Sequence, residues 1–557
     1  MNLAIWLLVM FFLATTAFAV EDKGAPSVRK EKDSTGREWT LKEWSESEGR
    51  PYPKNLKERE AWYQAKNGEN WSGPKSICRI LSPGNWQWEV VVTVPPDLAK
   101  KIEAKHKNIH SPTRQRIWGD RFWGEAFVWA PGGRDVTDIY ALADNGVIHF
   151  DPRSRKQIFV GTPLESGFVD GINDKARFVP GPKVTMDPVT GRLYFIQSDG
   201  NREVLRYLEK LLPFKSGKTG KIYYLPAVLD WDGLFRKVKG PDGGDLTSYG
   251  EKDAAAEPVF VVRSLPGLKA LTIPGPYLTG WRPLITPDGK GAYFYESGRP
   301  DFETLYEYSS LYDLETGEKI KPLKIKDKVP KNFKGGSDGP GSHGGNCVGY
   351  DSVIYNSQHG GCCGPCRGGA GRMFSIDPST GKLTLLYDSM PEDESTWSKR
   401  HEWQPYPFID GPADATTLLF TSTLYQAQCP RSGAIYNGGW DYSGIRRYHD
   451  GFVTSLLDND EEHGRIGRPG WNGSPILYHG NSNPAIAPNG DLYIADDNSR
   501  DPRIVRFYRT DWPKEQPVNG YAERFLPREK LELLMLEYAQ KYIDNFSETN
   551  RLLEKTQ

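Results

Sequence analysis

A two-strand unit with a turn at its middle recurs six times in this chain, and that recurrence constrains the fold more than any single motif. In each copy a polar or small residue leads into a short apolar strand. A turn follows, often Asp-Pro-x-x-Gly or Pro-Asn-Gly, and a second apolar strand returns. The copies are Gly124–Pro131 with Asp138–Ala143, Pro182–Pro188 with Arg192–Gln197, and Trp281–Pro287 with Ala292–Glu296. They continue with Asn346–Asp351 and Val353–Ser357, Gln404–Asp410 and Thr416–Ser422, and Asn483–Asn489 and Asp491–Ala495. Most go on to a third and a fourth strand, as in Val147–Asp151 with Gln157–Gly161 and Met373–Asp377 with Lys382–Tyr387.

Four short strands with a turn before each new start are the signature of a propeller blade, which protects its edges by radial repetition. The pattern predicts an all-β chain: a six-bladed β-propeller of four-stranded antiparallel blades over residues 76–525, with an insertion near 227–258. The last unit lacks a fourth strand, and Trp88–Thr93, upstream of the first unit, is placed to supply it and close the ring. Residues 20–75, polar and rich in Lys, Glu, Ser and Pro, read as an irregular lead-in. In 526–557, Leu531, Leu533, Leu534, Leu536, Tyr538 and Tyr542 lie in a helix-favouring context and predict a C-terminal amphipathic helix.

Charge narrows the partners. With 71 Lys+Arg against 72 Asp+Glu, bulk charge drives neither nucleic-acid nor polybasic membrane binding. Residues 1–19 read as a signal peptide: an apolar run from Leu3 to Ala14 precedes the small-x-small site Ala17-Phe18-Ala19. The chain is therefore expected to be exported, secreted or periplasmic, with no integral membrane segment after cleavage. An even number of cysteines in an exported chain makes Cys78, Cys347, Cys362, Cys363, Cys366 and Cys429 disulfide candidates. Cys429 reads as lying in the loop equivalent to the Cys362–Cys366 loop, one unit further on. Zinc binding by His359 and three of the cysteines is the alternative. Cys363-Gly364-Pro365-Cys366 has the form of a thioredoxin motif, but a glycine-rich run follows where that chemistry needs a helix.

Two resemblances follow from particular residues. Gly167-Phe168-Val169-Asp170-Gly171, Ala176-Arg177-Phe178 and Asp187-Pro188-Val189-Thr190-Gly191 resemble an NHL-type propeller repeat. Gly124-Glu125-Ala126-Phe127-Val128-Trp129, continuing to Ile148-His149-Phe150-Asp151-Pro152, resembles the opening blade of the senescence-marker-protein/gluconolactonase family of six-bladed propellers. That resemblance implies a central divalent metal, with Glu125 as one ligand and Asn346 at the position of another. The family's fifth-blade Asp aligns with Gln404, whose neutral amide coordinates weakly and cannot act as a base.

In a propeller the starts of the innermost strands crowd the axis on one face, so their first residues are the first place to seek convergent polar groups. Here these are Glu125, Lys183, Arg282, Asn346, Gln404 and Asn483. Glu125, Asn346, Gln404 and Asn483 offer oxygens to one divalent cation, calcium or a transition metal. The same residues also suit a purely structural polar axis. His343, His359, His401 and His479 fall at strand starts or just after second strands, on the same face. His359 and His401 are candidate bases, and Arg282 and Arg400 candidate anion holders. Oligogalacturonate-lyase-like propellers use similar residue types, here Gln358 with His359 or His401 with Gln404. Lys183, His343, His479, Trp281 and Trp403 are candidates for binding substrate, the aromatic faces suiting sugar rings. Two readings result: a metal-assisted or His-based hydrolase or lyase acting on a sugar-derived or lactone-type substrate, small molecule or oligosaccharide, or a non-catalytic propeller presenting a stapled loop surface to a glycan or protein partner.

Overall fold

Antiparallel pairing builds most of the described chain. The computed structural model describes residues 30–32, 38–40, 86–93, 123–131, 136–143, 145–162, 165–179, 183–198, 203–248, 257–265, 283–295, 309–324, 346–359, 371–388, 411–412, 423–430, 432–439, 445–449, 452–457, 465–466, 477–478, 484–487, 490–496, 503–509 and 525–547. The expected signal peptide lies outside these. Of the lead-in, Lys30–Lys32 pairs with Glu38–Thr40 as a short ladder.

The first sheet runs Trp123–Trp129, Asp138–Ala143, Gly146–Phe150, Gln157–Gly161, in chain order from one edge to the other. The third repeats this with Leu284–Ile285, Gly291–Tyr295, Ser309–Asp313 and Lys319–Pro322. The fourth does so with Asn346–Val348, Ile354–His359, Gly371–Asp377 and Lys382–Asp388. The fifth runs Thr423–Gln428, Ile435–Gly439, Ile445–His449, Phe452–Leu457 and adds Gly411–Pro412 at its far edge. The closing sheet holds Pro484–Ile486, Leu492–Asp496 and Arg503–Arg509, and takes Trp86–Thr93 as its outer strand. That last ladder, from Trp86↔Arg509 to Thr93↔Arg503, joins residues more than 400 positions apart. These five sheets have the form of propeller blades.

The remaining sheet departs from that form because one strand outgrows it. Glu203–Ser216 pairs with Leu193–Ser198 and Val259–Ser264 over its first part. From Leu211 onward it also pairs with Ile222–Pro226, and near its end with Leu246–Ser248. The result is a seven-stranded insertion sheet with Lys183–Met186 at one edge. The predicted insertion is thus a lobe, with a 3-10 helical stretch at Ala227–Lys237 kinked at Trp231–Gly233. The C-terminal helix Arg528–Asp544 docks on it, burying Leu531, Leu534, Met535, Ala539, Tyr542 and Ile543 against Phe214, Leu225, Val228, Leu229 and Leu234. Leu533 points away from this core and is 64% exposed. Glu529 in the first turn and Lys541 in the last suit the helix dipole. No described helix is long and apolar enough to cross a membrane.

The turns between first and second strands show why the Asp-Pro-x-x-Gly pattern works. Asp187 accepts the backbone N–H of Val189 (2.8 Å) and the Thr190 hydroxyl, and Gly191 closes the turn at φ +72°. Gly191 also lies against the Trp129 ring, where a Cβ would sit 2.8 Å from it. Trp129 Nε1 donates to the Pro188 carbonyl at 3.3 Å, so a turn of one sheet is keyed to the innermost strand of its neighbour.

Apolar clusters fill the seams. Val92, Ala126, Ile139, Ala485, Tyr493 and Ile504 join the closing sheet to the first. Tyr140, Val147, Val160, Val184, Phe195 and Phe260 join the first to the insertion sheet. Tyr194, Leu205, Ile285 and Phe294 join that to the third. The NHL-like segment has a structural role in this packing. Arg206, wholly buried, donates to Asp170 (3.0 Å), Gln197 (2.6 Å) and the carbonyls of Val169 (2.6 Å) and Arg177 (2.9 Å), under the Phe168 ring. One guanidinium thereby ties two carbonyls and the Asp170 carboxylate of the connection to the insertion sheet.

Candidate functional site at the upper ends of the innermost strands

The strand order fixes which residues share an end of the fold. Each sheet begins with its innermost strand, and the second strand runs back antiparallel. First residues of innermost strands and last residues of second strands therefore lie at one end, called upper here. Lys183 is the first residue of Lys183–Met186 and pairs with Ile196. Asn346 is the first residue of Asn346–Val348 and pairs with Asn356. His359 ends the second strand of that sheet, three residues beyond Asn356, or about 10 Å further toward the upper end. Glu125 lies in Trp123–Trp129, within the stretch between Trp123 and Ala126 where the register shifts. Four expected residues from three sheets thus hold upper-end backbone positions.

Other expected positions lie outside the described residues: Arg282, Arg400, His401, His343, His479, Asn483, Trp281 and Trp403. Arg282 and Asn483 immediately precede the described Pro283 and Pro484.

The fifth sheet requires a correction, and Gln404 itself lies outside the described residues. It was expected to open the innermost strand of the fifth sheet, but that strand is Thr423–Gln428. The described chain nearest after Gln404, Gly411–Pro412, pairs with Phe452–Leu457 at the outer edge. Of the polar residues of the true innermost strand, Gln426 and Gln428 are both used in packing. Gln426 donates to Asn437 Oδ1 at 2.8 Å, and Asn437 in turn donates to Met373 Sδ of the fourth sheet at 3.8 Å. Gln428 Oε1 accepts the Tyr350 N–H at 2.6 Å. Buried amides here form the seam between two sheets, as buried polar groups with full partners do.

Of the six cysteines, Cys347 and Cys429 fall within the described residues. Cys347 is a free thiol, and Cys429 is buried. Cys429 follows directly on Thr423–Gln428, at the turn where the chain leaves the innermost strand. His359 and Gly371, which flank the Cys362–Cys366 segment, are at the upper end. Burial first, and the nearby Asp351 second, push the Cys347 thiol far up, so it stays protonated and is a poor nucleophile or metal ligand. Cys78, Cys362, Cys363 and Cys366 lie outside the described residues. Among the described residues no group of three His, Cys, Asp or Glu side chains is arranged to hold a metal.

Sequence reasoning passed over the densest charged group of the described chain. Asp138 and His149, each 1% exposed, meet Lys210 across the seam between the first sheet and the insertion sheet. His149 Nε2 and Lys210 Nζ both lie 2.5 Å from Asp138 Oδ1. Burial opposes ionisation of Asp138, but Lys210 and then His149 outweigh it and hold the carboxyl well below the usual carboxylate range. Nothing in the local pattern marks these residues, because Lys210 is 72 positions from Asp138.

The sequence matches no family model and no curated protein. Among solved structures it is similar to a TolB from Agrobacterium tumefaciens, at a TM-score of 0.32 and 11% identity, over 71% of this chain and 96% of that one. It is also similar to a luciferin-regenerating enzyme, at 0.30 and 12%, over 72% of this chain and 95% of that one.

Proposed function

We propose that this is an exported six-bladed propeller, the insertion sheet being the sixth blade, that takes a sugar-derived or lactone-type ligand at the upper end of its axis and acts on it as a hydrolase or lyase. One observation carries the reading: an acid, a cation and an amide, Glu125, Lys183 and Asn346, stand on innermost strands of three different sheets, with His359 at the same end. Lys183 supplies a fixed positive charge for a carboxylate or a developing oxyanion. His359 offers an imidazole as the base that takes a proton from water or from a carbon next to a carbonyl. The oxygens of Glu125, Asn346 and Asn483 suit a hard cation such as calcium. Bound there, a divalent ion would polarise a carbonyl or carboxylate of the ligand.

The test is a screen of lactones and acidic oligosaccharides with the purified mature protein, alongside Lys183→Ala and His359→Ala. Each variant is expected to fold as the parent does. Lys183→Ala should raise KM, and His359→Ala should lower kcat by about 100-fold or more. Turnover unaffected by both substitutions refutes the assignment. Binding lost in Lys183→Ala, with no turnover in the parent, would make the same face a non-catalytic glycan-binding surface.

A further inference from the structure

The Asp138–His149–Lys210 group is not needed for the proposed site, yet it concentrates three ionisable side chains in one apolar seam. His149 stands between the rings of Tyr140 (5.0 Å) and Phe260 (4.8 Å). Its Nε2 is committed to Asp138, so the neutral ring donates there and carries its lone pair on Nδ1. Nδ1 is buried and has no hydrogen-bond partner. The groups that face the ring are Asp138 and Tyr140 from the adjacent strand, Lys210 from the insertion sheet, and Asp151 from the end of its own strand.

Charge balance makes this arrangement conditional on pH. With His149 neutral, Asp138 and Lys210 cancel. Protonation adds a second cation against one buried carboxylate and creates an Nδ1–H with no acceptor. Both consequences are costly in a dry seam. Lys210 stands where the Glu203–Ser216 strand leaves the blade, since the next residue, Leu211, already pairs with Pro226 of the lobe. We propose that Asp138, His149 and Lys210 form an acid-sensitive latch that holds the first sheet against the insertion sheet and loosens that seam when His149 is protonated.

The direction of the pH effect is fixed. Burial, and after it the Lys210 cation, push His149 below the ordinary value of 6.5, against the pull of Asp138. A histidine lowered on folding stabilises the fold fully above its unfolded value. That contribution is lost as pH falls through 6.5 toward the folded value. The experiment is thermal unfolding at pH 7.5 and pH 5.5 for the parent and for His149→Gln, whose amide still donates to Asp138 but does not titrate. The parent is expected to lose about 2–4 °C more than the variant across this interval. Equal losses overturn the latch. If His149→Gln does not fold, hydrogen exchange of the parent at the two pH values, corrected for intrinsic rates, decides. Selective loss of protection at pH 5.5 in Asp138–Ala143, Gly146–Phe150 and Glu203–Ser216 supports the latch, and protection unchanged there overturns it.

Discussion

Two of the junctions among the described residues that ionic groups tie differ in what else holds them. Between the first sheet and the insertion sheet, Asp138 and Lys210 pair at 2.5 Å with side chains 2% and 9% exposed. In the closing sheet, Arg506 bridges Glu89 (2.7 Å) and Asp491 (2.5 Å), with Arg506 and Glu89 30% and 39% exposed. The second junction lies within one sheet, and a backbone ladder from Trp86 to Thr93 already joins its strands. The first is a face between separate sheets, where no ladder forms and side chains alone make the joint. A charge placed where only side chains hold two layers together is decisive. The same charge laid over a ladder is an addition to it.

The largest effect is therefore expected at the buried pair. Asp138→Ala leaves Lys210 without its carboxylate inside the seam and should destabilise the fold by about 3–5 kcal/mol. Urea unfolding measures this. Adding Lys210→Met removes the orphaned cation, so the double variant should be more stable than Asp138→Ala alone, a coupling that a double-mutant cycle reads directly. Additive losses would show that the two side chains act separately, and the contrast between the junctions would fall.

The C-terminal helix is another junction made by side chains, with an apolar core and exposed ion pairs such as Lys290–Glu537 at its rim. Leu531 is fully buried against the lobe, and Leu531→Ala should cost about 2–4 kcal/mol through lost contacts and the cavity left behind. Leu533, two positions on and 64% exposed, should tolerate Ala within about 0.5 kcal/mol. Circular dichroism melts of the two variants sort the faces of the helix. A comparable loss in both would mean that Leu533 is covered in solution.

These contrasts also explain which parts of the structure could be read in the sequence. Strand pairs were legible wherever an Asp-rich turn separated two apolar runs, as at Asp187–Gly191. That chemistry is local: a carboxylate takes nearby donors and a glycine adopts positive φ. The closing strand Trp86–Thr93 was legible by subtraction, since a blade one strand short leaves an edge to cover. The fifth sheet was misread because its innermost strand, Thr423–Gln428, is rich in amides, and its turn at Cys429–Gly433 has no Asp. The buried hydrogen bonds that make Gln426 and Gln428 core residues involve Asn437 and Tyr350, which no period of two or 3.6 reveals. Gln404 was chosen instead, although Pro405 and Pro407 beside it remove ladder donors from the strand it was meant to open. The upper-end positions of Glu125, Lys183 and Asn346 follow from strand order alone, and so were available early. Arg206 and the Asp138–His149–Lys210 group were not, because each depends on partners brought from distant segments by the packing of sheets.

The smallest effect is expected at the closing ladder, and it sharpens the comparison most. Glu89→Gln keeps the shape of the side chain and one hydrogen-bond acceptor for Arg506, while Asp491 still neutralises the guanidinium. Solvent screens a pair this exposed, so the loss should be under about 1 kcal/mol. Raising salt from low to near-molar concentration shortens the Debye length from about 30 Å to about 3 Å and should erase most of that difference. The loss at Asp138→Ala should persist, because ions do not reach its seam. Urea midpoints of the parent and both variants at the two salt concentrations make the test. A Glu89→Gln loss as large as that of Asp138→Ala, and as insensitive to salt, would mean that the ladder does not close this sheet unaided and that Arg506 is as essential there as Lys210 is at the buried seam.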